Sequence, residues 1–210
     1  MTKTTKTTRT VIIDYGSGNL RSVSKAFEHI SDGIVQITSD PKDLQSATHI
    51  VLPGVGAFGD CAAGLRALNG MVAELEKQVL DNKKPFLGIC VGMQLLAAKG
   101  YEYGEHDGLG WIGGEVRKIK PSDKGLPIPH MGWNSLNLTK SQPLNDKISG
   151  DVYFVHSYQL HCDEKYVLAT CDYGSAITAI VAKGNIMGVQ FHPEKSQQIG
   201  LSLLKNFLEI

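Results

Sequence analysis

Residues 86–96 read Phe86-Leu87-Gly88-Ile89-Cys90-Val91-Gly92-Met93-Gln94-Leu95-Leu96. The first four form a short apolar run that predicts a buried strand, and the last four favour a helix. Cys90 stands between them in a Gly-x-Cys-x-Gly pattern, typical of the tight strand-to-helix turn that presents a nucleophile. Glycines flank it because side chains there would collide. We predict that Cys90 is a nucleophile whose thiolate the helix N–H groups favour; a buried structural cysteine is the alternative.

Strands and helices alternate in the half of the chain that contains this turn. Four strands are predicted by short apolar runs, at residues 11–14, 34–38, 49–52 and 86–89. Helices are predicted between them from apolar spacing, at residues 20–30, 62–68 and 72–80. Such alternation predicts an α/β protein with a parallel, doubly wound sheet.

The second half of the chain is rich in turn residues and short β-like runs. These runs lie at residues 111–119, 152–155, 166–171, 176–182 and 186–191. An amphipathic helix is predicted over residues 196–210. We therefore predict one open, twisted sheet that is mostly parallel in the first half and contains antiparallel strands in the second. Residues 11–210 form a single domain in this prediction, after a disordered polar tail at residues 1–10.

Composition excludes several classes of protein. The 210 residues contain 21 basic and 21 acidic side chains without long blocks of one sign, so neither nucleic acid nor an anionic membrane is an expected partner. The longest apolar stretch is too short to span a bilayer, and the first residues lack a signal-peptide core. Four dispersed cysteines favour reduced thiols and a cytoplasmic protein.

The sequence His192-Pro193-Glu194 supplies partners for a nucleophile. Proline pushes the preceding residue into an extended conformation, in which residues two apart point to the same side. His192 and Glu194 can therefore face one site, where the carboxylate holds the imidazole in one orientation. Together with Cys90 they form the triad pattern of acyl-transfer enzymes. A surface turn at a strand end is the alternative.

Two further segments fit a site around Cys90. Pro53-Gly54-Val55-Gly56 follows a predicted strand, and its peptide N–H groups at Val55 or Gly56 can face an oxyanion together with the N–H of Val91. A plain strand-to-helix turn is the alternative for this segment. Gln94 lies one helical turn after Cys90 on the same face, which suits either substrate binding or a solvated surface.

Three segments together resemble the class I glutamine amidotransferases: Pro53-Gly54-Val55-Gly56, Gly88-Ile89-Cys90-Val91-Gly92-Met93-Gln94 and Gly188-Val189-Gln190-Phe191-His192-Pro193-Glu194. Four other segments extend the resemblance almost to the end of the chain, and they are similar to the glutaminase subunits of imidazole glycerol phosphate synthases. They are Asp14-Tyr15-Gly16-Ser17-Gly18-Asn19-Leu20, Pro129-His130-Met131-Gly132-Trp133-Asn134, Tyr153-Phe154-Val155-His156-Ser157-Tyr158 and Leu203-Leu204-Lys205-Asn206-Phe207-Leu208. Val91 departs from the pattern, since leucine is the commoner residue there.

The resemblance implies an enzyme that hydrolyses glutamine without a cofactor or a metal. It assigns Cys90, His192 and Glu194 to the triad, and Val55, Gly56 and Val91 to the oxyanion hole. The residues it implies for binding glutamine are Gln94, Glu102, Ser157 and Tyr158. It also implies a separate (β/α)-barrel synthase subunit that receives the ammonia. The residues it implies for contact with that partner are Asn19, Trp133, Asn134, Tyr153 and Lys195.

Other functions fit parts of the same pattern. A glutaminase subunit of a different synthase, for example one that aminates a surface sugar, would share the triad. An inactive binding subunit would not need the complete triad, and a cysteine peptidase or γ-glutamyl hydrolase would use another substrate. Zinc binding by His161, Cys162 and Cys171 is disfavoured because their spacing does not match a structural zinc site.

Overall fold

The computed structural model describes residues 8–123 and 125–210. Its helices are α1 (Leu20–Ile30), α2 (Phe58–Ala67), α3 (Met71–Leu75), α4 (Val91–Gln94) and α5 (Gln197–Leu208). Its strands are β1 (Arg9–Ile13), β2 (Ile34–Thr38), β3 (His49–Gly54), β4 (Phe86–Cys90), β5 (Lys99–Gly100), β6 (His106–Asp107), β7 (Glu115–Lys118), β8 (His130–Ser135), β9 (Asn137–Leu138), β10 (Asp151–His156), β11 (Tyr158–His161), β12 (Val167–Asp172), β13 (Ala176–Lys183) and β14 (Ile186–Val189). None of these helices is long and apolar enough to cross a membrane.

The main sheet has eight strands in the order β2-β1-β3-β4-β14-β13-β12-β9. Its first five strands are parallel, and the last three run antiparallel to their neighbours. Every residue of β3, β4 and β14 is buried, as expected for central parallel strands covered on both faces. The predicted mixture of parallel and antiparallel strands is therefore confirmed.

The chain reverses its direction of travel across the sheet next to β1. From β1 it moves outward to β2, whereas after β3 it moves in the opposite direction to β4. Because crossovers between parallel strands are right-handed, the helices on these two connections cover opposite faces of the sheet. The loops that follow β1 and β3 consequently border one crevice at the carboxyl ends of the strands, which is where open α/β sheets bind ligands.

The second half adds two small sheets beside the carboxyl ends. One contains β10 and β8, and the other has the order β11-β7-β5-β6. The strands β8 and β11 are not among the runs that the sequence predicted: in β8, Gly132 and the polar residues around it hide the alternation, and β11 is only four residues long. They carry residues 130–135 and 158–161 to the edge of the crevice.

Two boundaries differ from those expected. Arg9 and Thr10 belong to β1 rather than to the predicted tail, since Arg9 donates from Nη1 to Gln36 Oε1 at 2.9 Å and Thr10 is buried. The Thr8 carbonyl oxygen accepts a hydrogen bond from the Ile34 N–H at 2.9 Å, and residues 1–7 of the predicted tail lie outside the described residues. The predicted helix after Cys90 is only the single turn α4, after which the chain continues as a turn.

The closing helix α5 packs directly against the loop that precedes it. A Cβ atom added at Gly200 would lie 1.9 Å from the carbonyl oxygen of Pro193, far inside van der Waals contact. Phe207 anchors the other end of α5 by an edge-to-face contact with Phe27 of α1, with 6.2 Å between ring centroids. The helix thereby fixes the position of the loop that contains His192 and Glu194.

Candidate active site

Cys90 ends β4 in a left-handed backbone conformation, with φ 55° and ψ −113°. Few residues other than glycine adopt this region, and at functional sites it marks a constrained backbone. The flanking glycines are required by close approach, as the sequence indicated. A Cβ at Gly92 would lie 1.8 Å from the carbonyl oxygen of Leu52, and one at Gly88 would lie 2.5 Å from that of Gly92. The turn is therefore locked between β3 and β4.

His192 and Glu194 meet in the manner that the extended backbone predicts. Nδ1 of His192 lies 2.9 Å from Glu194 Oε1, and both side chains are almost fully buried. Asn19 donates from Nδ2 to the same carboxylate oxygen at 3.4 Å. Burial alone would lower the pKa of His192, but its interactions with an ionised Cys90 and with Glu194 raise it to about 10. These interactions favour the imidazolium form of the ring, whose Nε2 makes no hydrogen bond to any described residue.

A cavity of about 320 Å³ opens above Cys90. It brings together nine of the predicted site residues: Val55, Gly56, Cys90, Val91, Gln94, Glu102, Ser157, Tyr158 and His192. Glu194 lies behind His192 and does not line it. Pro129, Val155 and His156 also line the cavity, although the sequence did not single them out. A volume of this size is at the lower end of the range for small-molecule sites.

The Val55 peptide is held away from the role of an oxyanion donor. Its N–H donates to Ser17 Oγ at 3.1 Å, and the Ser17 hydroxyl donates back to the Val55 carbonyl oxygen. Cys61 Sγ contacts Ser17 Oγ at 3.4 Å from the neighbouring helix α2. Gly56 has a φ of 105°, so the segment after Val55 uses the backbone freedom that only glycine readily provides.

The residues predicted to bind glutamine also line the cavity. Glu102 is fixed by a 2.9 Å hydrogen bond from the Phe58 backbone N–H to its Oε2. Burial and the nearby Glu102 carboxylate raise the pKa of Tyr158. Gln94 is buried and donates from Nε2 to the Tyr158 carbonyl oxygen at 3.0 Å. The amide of Gln94 thus connects the helix after the nucleophile to the strand that carries Tyr158.

Gln190 is a site residue that the sequence analysis missed. It is fully buried, and its Nε2 lies 3.7 Å from the Cys90 sulfur. The signal was present, because residues two apart on an extended segment share a face and Gln190 precedes His192 by two. Tyr15 was also missed; it is buried beside Cys61 and packs so close to Gly54 that a Cβ there would lie 2.5 Å from its hydroxyl oxygen.

Two buried histidines form a hydrogen-bonded pair beside the cavity. His156 Nδ1 lies 2.9 Å from the Tyr158 carbonyl oxygen, which only accepts, so this nitrogen carries the proton. His156 Nε2 therefore accepts from His130 Nδ1 at 3.0 Å, and His130 Nε2 accepts from Asn134 Nδ2 at 3.1 Å. Burial lowers the pKa of each histidine to about 4. Both are neutral, and the pair supports the backbone next to the cavity.

Comparison with known proteins identifies relatives along nearly the whole chain. Residues 11–210 match the family described as Glutamine amidotransferase class-I. The imidazole glycerol phosphate synthase subunit HisH of Bradyrhizobium diazoefficiens is 51% identical over 208 residues, which cover 94% of this chain and 96% of the relative. The subunit of the same name from Brucella suis is 52% identical over 212 residues, covering 96% of this chain and 98% of that protein.

Solved structures share the fold at much lower identity. PurLQS from Thermotoga maritima superposes with a TM-score of 0.74 at 19% identity, over 97% of this chain and 99% of that one. The glutaminase domain of Trypanosoma brucei CTPS with bound acivicin gives a TM-score of 0.64 at 18% identity, over 97% and 94% of the two chains. At these identities the likeness concerns the fold alone, and it confirms the fold class that the sequence predicted.

The neutral histidine pair predicts a loss of stability in mild acid. Burial lowers the pKa of folded His156 from 6.5 to about 4, so between these values the unfolded chain binds a proton that the folded chain does not. The free energy of unfolding should therefore decrease as the pH is lowered through this window. His192 contributes the opposite way: its stabilisation is complete below pH 6.5 and is lost as pH rises towards 10. It adds no slope in the acid window.

We expect His156→Gln to remove on the order of 1 to 2 kcal/mol of the difference in unfolding free energy between pH 7 and pH 5. Urea unfolding at the two pH values measures this difference. His29→Gln, at an exposed position of α1, is the matched control and should keep the wild-type slope. Equal slopes for the wild type and His156→Gln would contradict the prediction.

Proposed function

The chain belongs to the glutamine amidotransferase class-I family and is an enzyme of that type, and on this premise we propose which ammonia acceptor it serves and which residues act. In the proposal, Cys90, His192 and Glu194 hydrolyse glutamine to glutamate and ammonia. The ammonia passes to a separate (β/α)-barrel synthase subunit that makes imidazole glycerol phosphate in histidine biosynthesis. The choice of this acceptor is supported by one observation. The chain is about 50% identical to subunits named for that synthase, over nearly the full length of both chains.

The triad supports a thioester route. The Cys90 thiolate attacks the carboxamide carbon of glutamine, and the carbonyl oxygen becomes an oxyanion. The His192 imidazolium gives its proton to the amide nitrogen, the carbon–nitrogen bond breaks and ammonia leaves. Neutral His192 then takes a proton from water, whose oxygen attacks the thioester. The carbon–sulfur bond breaks, which releases glutamate and restores the thiolate. Glu194 stabilises the imidazolium at 2.9 Å in the resting state.

The α-amino and α-carboxyl groups of glutamine are assigned to Gln94, Glu102, Ser157 and Tyr158. All four line the cavity. The Glu102 carboxylate suits the ammonium group, because opposite charges attract strongly at a half-buried site. Such binding aligns the side-chain amide of the substrate with Cys90 and excludes shorter amides that lack the α-substituents.

The oxyanion is assigned to the N–H groups of Val91 and of Val55 or Gly56. In the resting state the Val55 N–H is engaged by Ser17, so the free subunit lacks one donor. Loss of one such donor costs roughly 10² to 10³ in rate. Rotation of the Val55 peptide, biased by the loaded partner, therefore supplies a switch of that size.

The partner-contacting residues are assigned to the face around the cavity mouth. Trp133 is 49% exposed, and its ring meets that of Tyr153 edge to face at 5.9 Å between centroids. Lys195 Nζ lies 5.8 Å from the centroid of the Tyr153 ring. Asn134 donates to the Asp172 carbonyl oxygen at 2.8 Å, and Asn19 is tied to Glu194, so these two couple the face to the interior.

Cys90→Ser is expected to abolish glutamine hydrolysis, by roughly 10⁴-fold or more, because the thiolate is lost while the volume hardly changes. Ammonia release from glutamine measures the rate, and the thermal unfolding midpoint checks the fold. Glu194→Gln should retain a partial rate, since the nucleophile and the base remain. Cys162→Ser, at a half-buried cysteine away from the cavity, is the control. Ammonia release by Cys90→Ser above background would end this assignment.

Ser17→Ala is expected to raise hydrolysis by the isolated subunit about tenfold, because it frees the Val55 N–H to turn towards the cavity. The same change should reduce the factor by which a loaded barrel subunit stimulates the reaction. Steady-state ammonia release with and without the partner measures both effects. Ser39→Ala, at an exposed serine, is the control. An unchanged basal rate in a folded Ser17→Ala protein would contradict the switch.

Trp133→Ala is expected to weaken binding to the barrel subunit by about 30-fold, the effect typical of a central aromatic contact. Basal hydrolysis should stay at the wild-type rate because Trp133 does not line the cavity. Titration calorimetry with the purified barrel measures the affinity. Leu138→Ala removes a similarly exposed side chain (45%) on β9 and is the matched control. Equal affinities of the two variants would show that the partner docks elsewhere.

A further inference from the structure

Gln190 lies between the nucleophile and the glutamine-binding side of the cavity. Its Oε1 accepts a hydrogen bond from Gln94 Nε2 at 3.0 Å, and its own Nε2 lies 3.7 Å from the Cys90 sulfur. The side chain is fully buried, so water does not compete for these groups. A buried amide pays a high desolvation cost unless its polar atoms are bonded, so the contacts specify where each atom lies.

The orientation of both amides follows from one backbone carbonyl. The Tyr158 carbonyl oxygen can only accept, so the group of Gln94 that faces it at 3.0 Å must be the NH₂. The second N–H of that group points at Gln190, which must therefore present its oxygen. The remaining end of Gln190, its NH₂, is left facing Cys90. A flip of Gln94 would place its oxygen against the Tyr158 carbonyl oxygen, and a flip of Gln190 would place two NH₂ groups against each other.

The same chain of bonds restricts how Gln94 meets a substrate. Both hydrogens of its Nε2 are engaged, by Tyr158 and by Gln190. Only its Oε1 is left for a ligand, so Gln94 acts there as an acceptor and suits an ammonium group rather than a carboxylate. Substrate binding and the orientation of Gln190 thus depend on one rigid side chain.

The His192 imidazolium lies near the thiolate, but its Nε2 makes no hydrogen bond to a described residue, and the helix after Cys90 supplies few donors. Cys90 is 4% exposed, and α4 contains a single turn, so few aligned peptides act on the sulfur. We propose that Gln190 stabilises the Cys90 thiolate by donating an Nε2 hydrogen bond to the sulfur, and that Gln94 is the positioning residue that keeps this N–H directed at it. The inference rests on the proposed function only in taking Cys90 as the nucleophile.

The test uses the alkylation of Cys90 by iodoacetamide in the absence of glutamine. The thiolate displaces iodide and the thiol does not, so the pH dependence of the rate reports the thiolate fraction. Peptide mass spectrometry follows the Cys90 peptide and separates it from the other three cysteines. We expect Gln190→Met, which keeps the length of the side chain but lacks the donor, to move the alkylation midpoint upward by about one pH unit. At a pH below both midpoints, Gln190→Met should be alkylated at Cys90 about tenfold more slowly than the wild type.

Gln78→Met is the matched control. Gln78 is equally a buried glutamine, bonded to Glu74 and Asn82 far from the cavity. Its replacement loses a buried amide without touching Cys90, so the midpoint should stay at the wild-type value. Gln94→Met leaves Gln190 in place but removes its orienting bond, and it should shift the midpoint upward by a smaller amount.

An unchanged midpoint in folded Gln190→Met would overturn the inference. If that variant does not fold, Gln94→Met decides in its place, and an unchanged midpoint again refutes the proposal. Glutamine hydrolysis measured in parallel separates the two proposals. A shifted midpoint in a protein that does not hydrolyse glutamine even with the loaded barrel subunit would refute the function and leave the hydrogen bond standing. Hydrolysis by the wild type without a shift in the variants would refute only the role of Gln190.

Discussion

The arrangement of the site depends on the left-handed backbone at Cys90. A residue in that conformation is held only when its surroundings determine it, and here the surroundings are two parallel strands and a turn that passes within contact of the Leu52 carbonyl. The contact brings the loop after β3 beside the nucleophile, so the Val55 segment is close because the turn is tight. The same packing leaves no room for side chains at Gly88 and Gly92. The backbone conformation of Cys90 thereby positions both the turn after β4 and the loop after β3.

Electrostatics divides the site into a charged centre and a neutral shell. The ionised Cys90 and Glu194 raise the pKa of His192 and favour its imidazolium form, whereas burial lowers the pKa of His156 and His130 and favours their neutral forms. All three rings are buried, so burial alone does not explain the difference. The difference lies in the partners, because His192 faces Glu194 and the other two face a carbonyl, an amide and each other. Of the three rings, His192 is therefore the one favoured to carry an extra proton, and the other two rings do not take it up.

The sequence predicted the parts of the site that local rules determine. The glycines around Cys90 and the extended step from His192 to Glu194 require only neighbouring residues, and both arrangements are present. The alternation of strands and helices likewise followed from local patterns. The direction of the Val55 N–H could not be predicted from the sequence, because it depends on a hydrogen bond to Ser17 from another loop. The histidine pair joins residues 26 positions apart, and nothing in the local pattern connects them. Gln190 was within reach, since the rule that paired His192 with Glu194 extends one step back along the same segment.

Gly200 constrains the candidate site from outside the cavity. It lies on α5, outside the cavity, and yet any side chain there would collide with the Pro193 carbonyl between His192 and Glu194. A substitution at this helix position has to be accommodated by moving the loop, the helix or both. The tolerance of position 200 to mutation is therefore set by the geometry of the loop that contains His192 and Glu194, and lineages that vary there are expected to carry compensating changes in that loop.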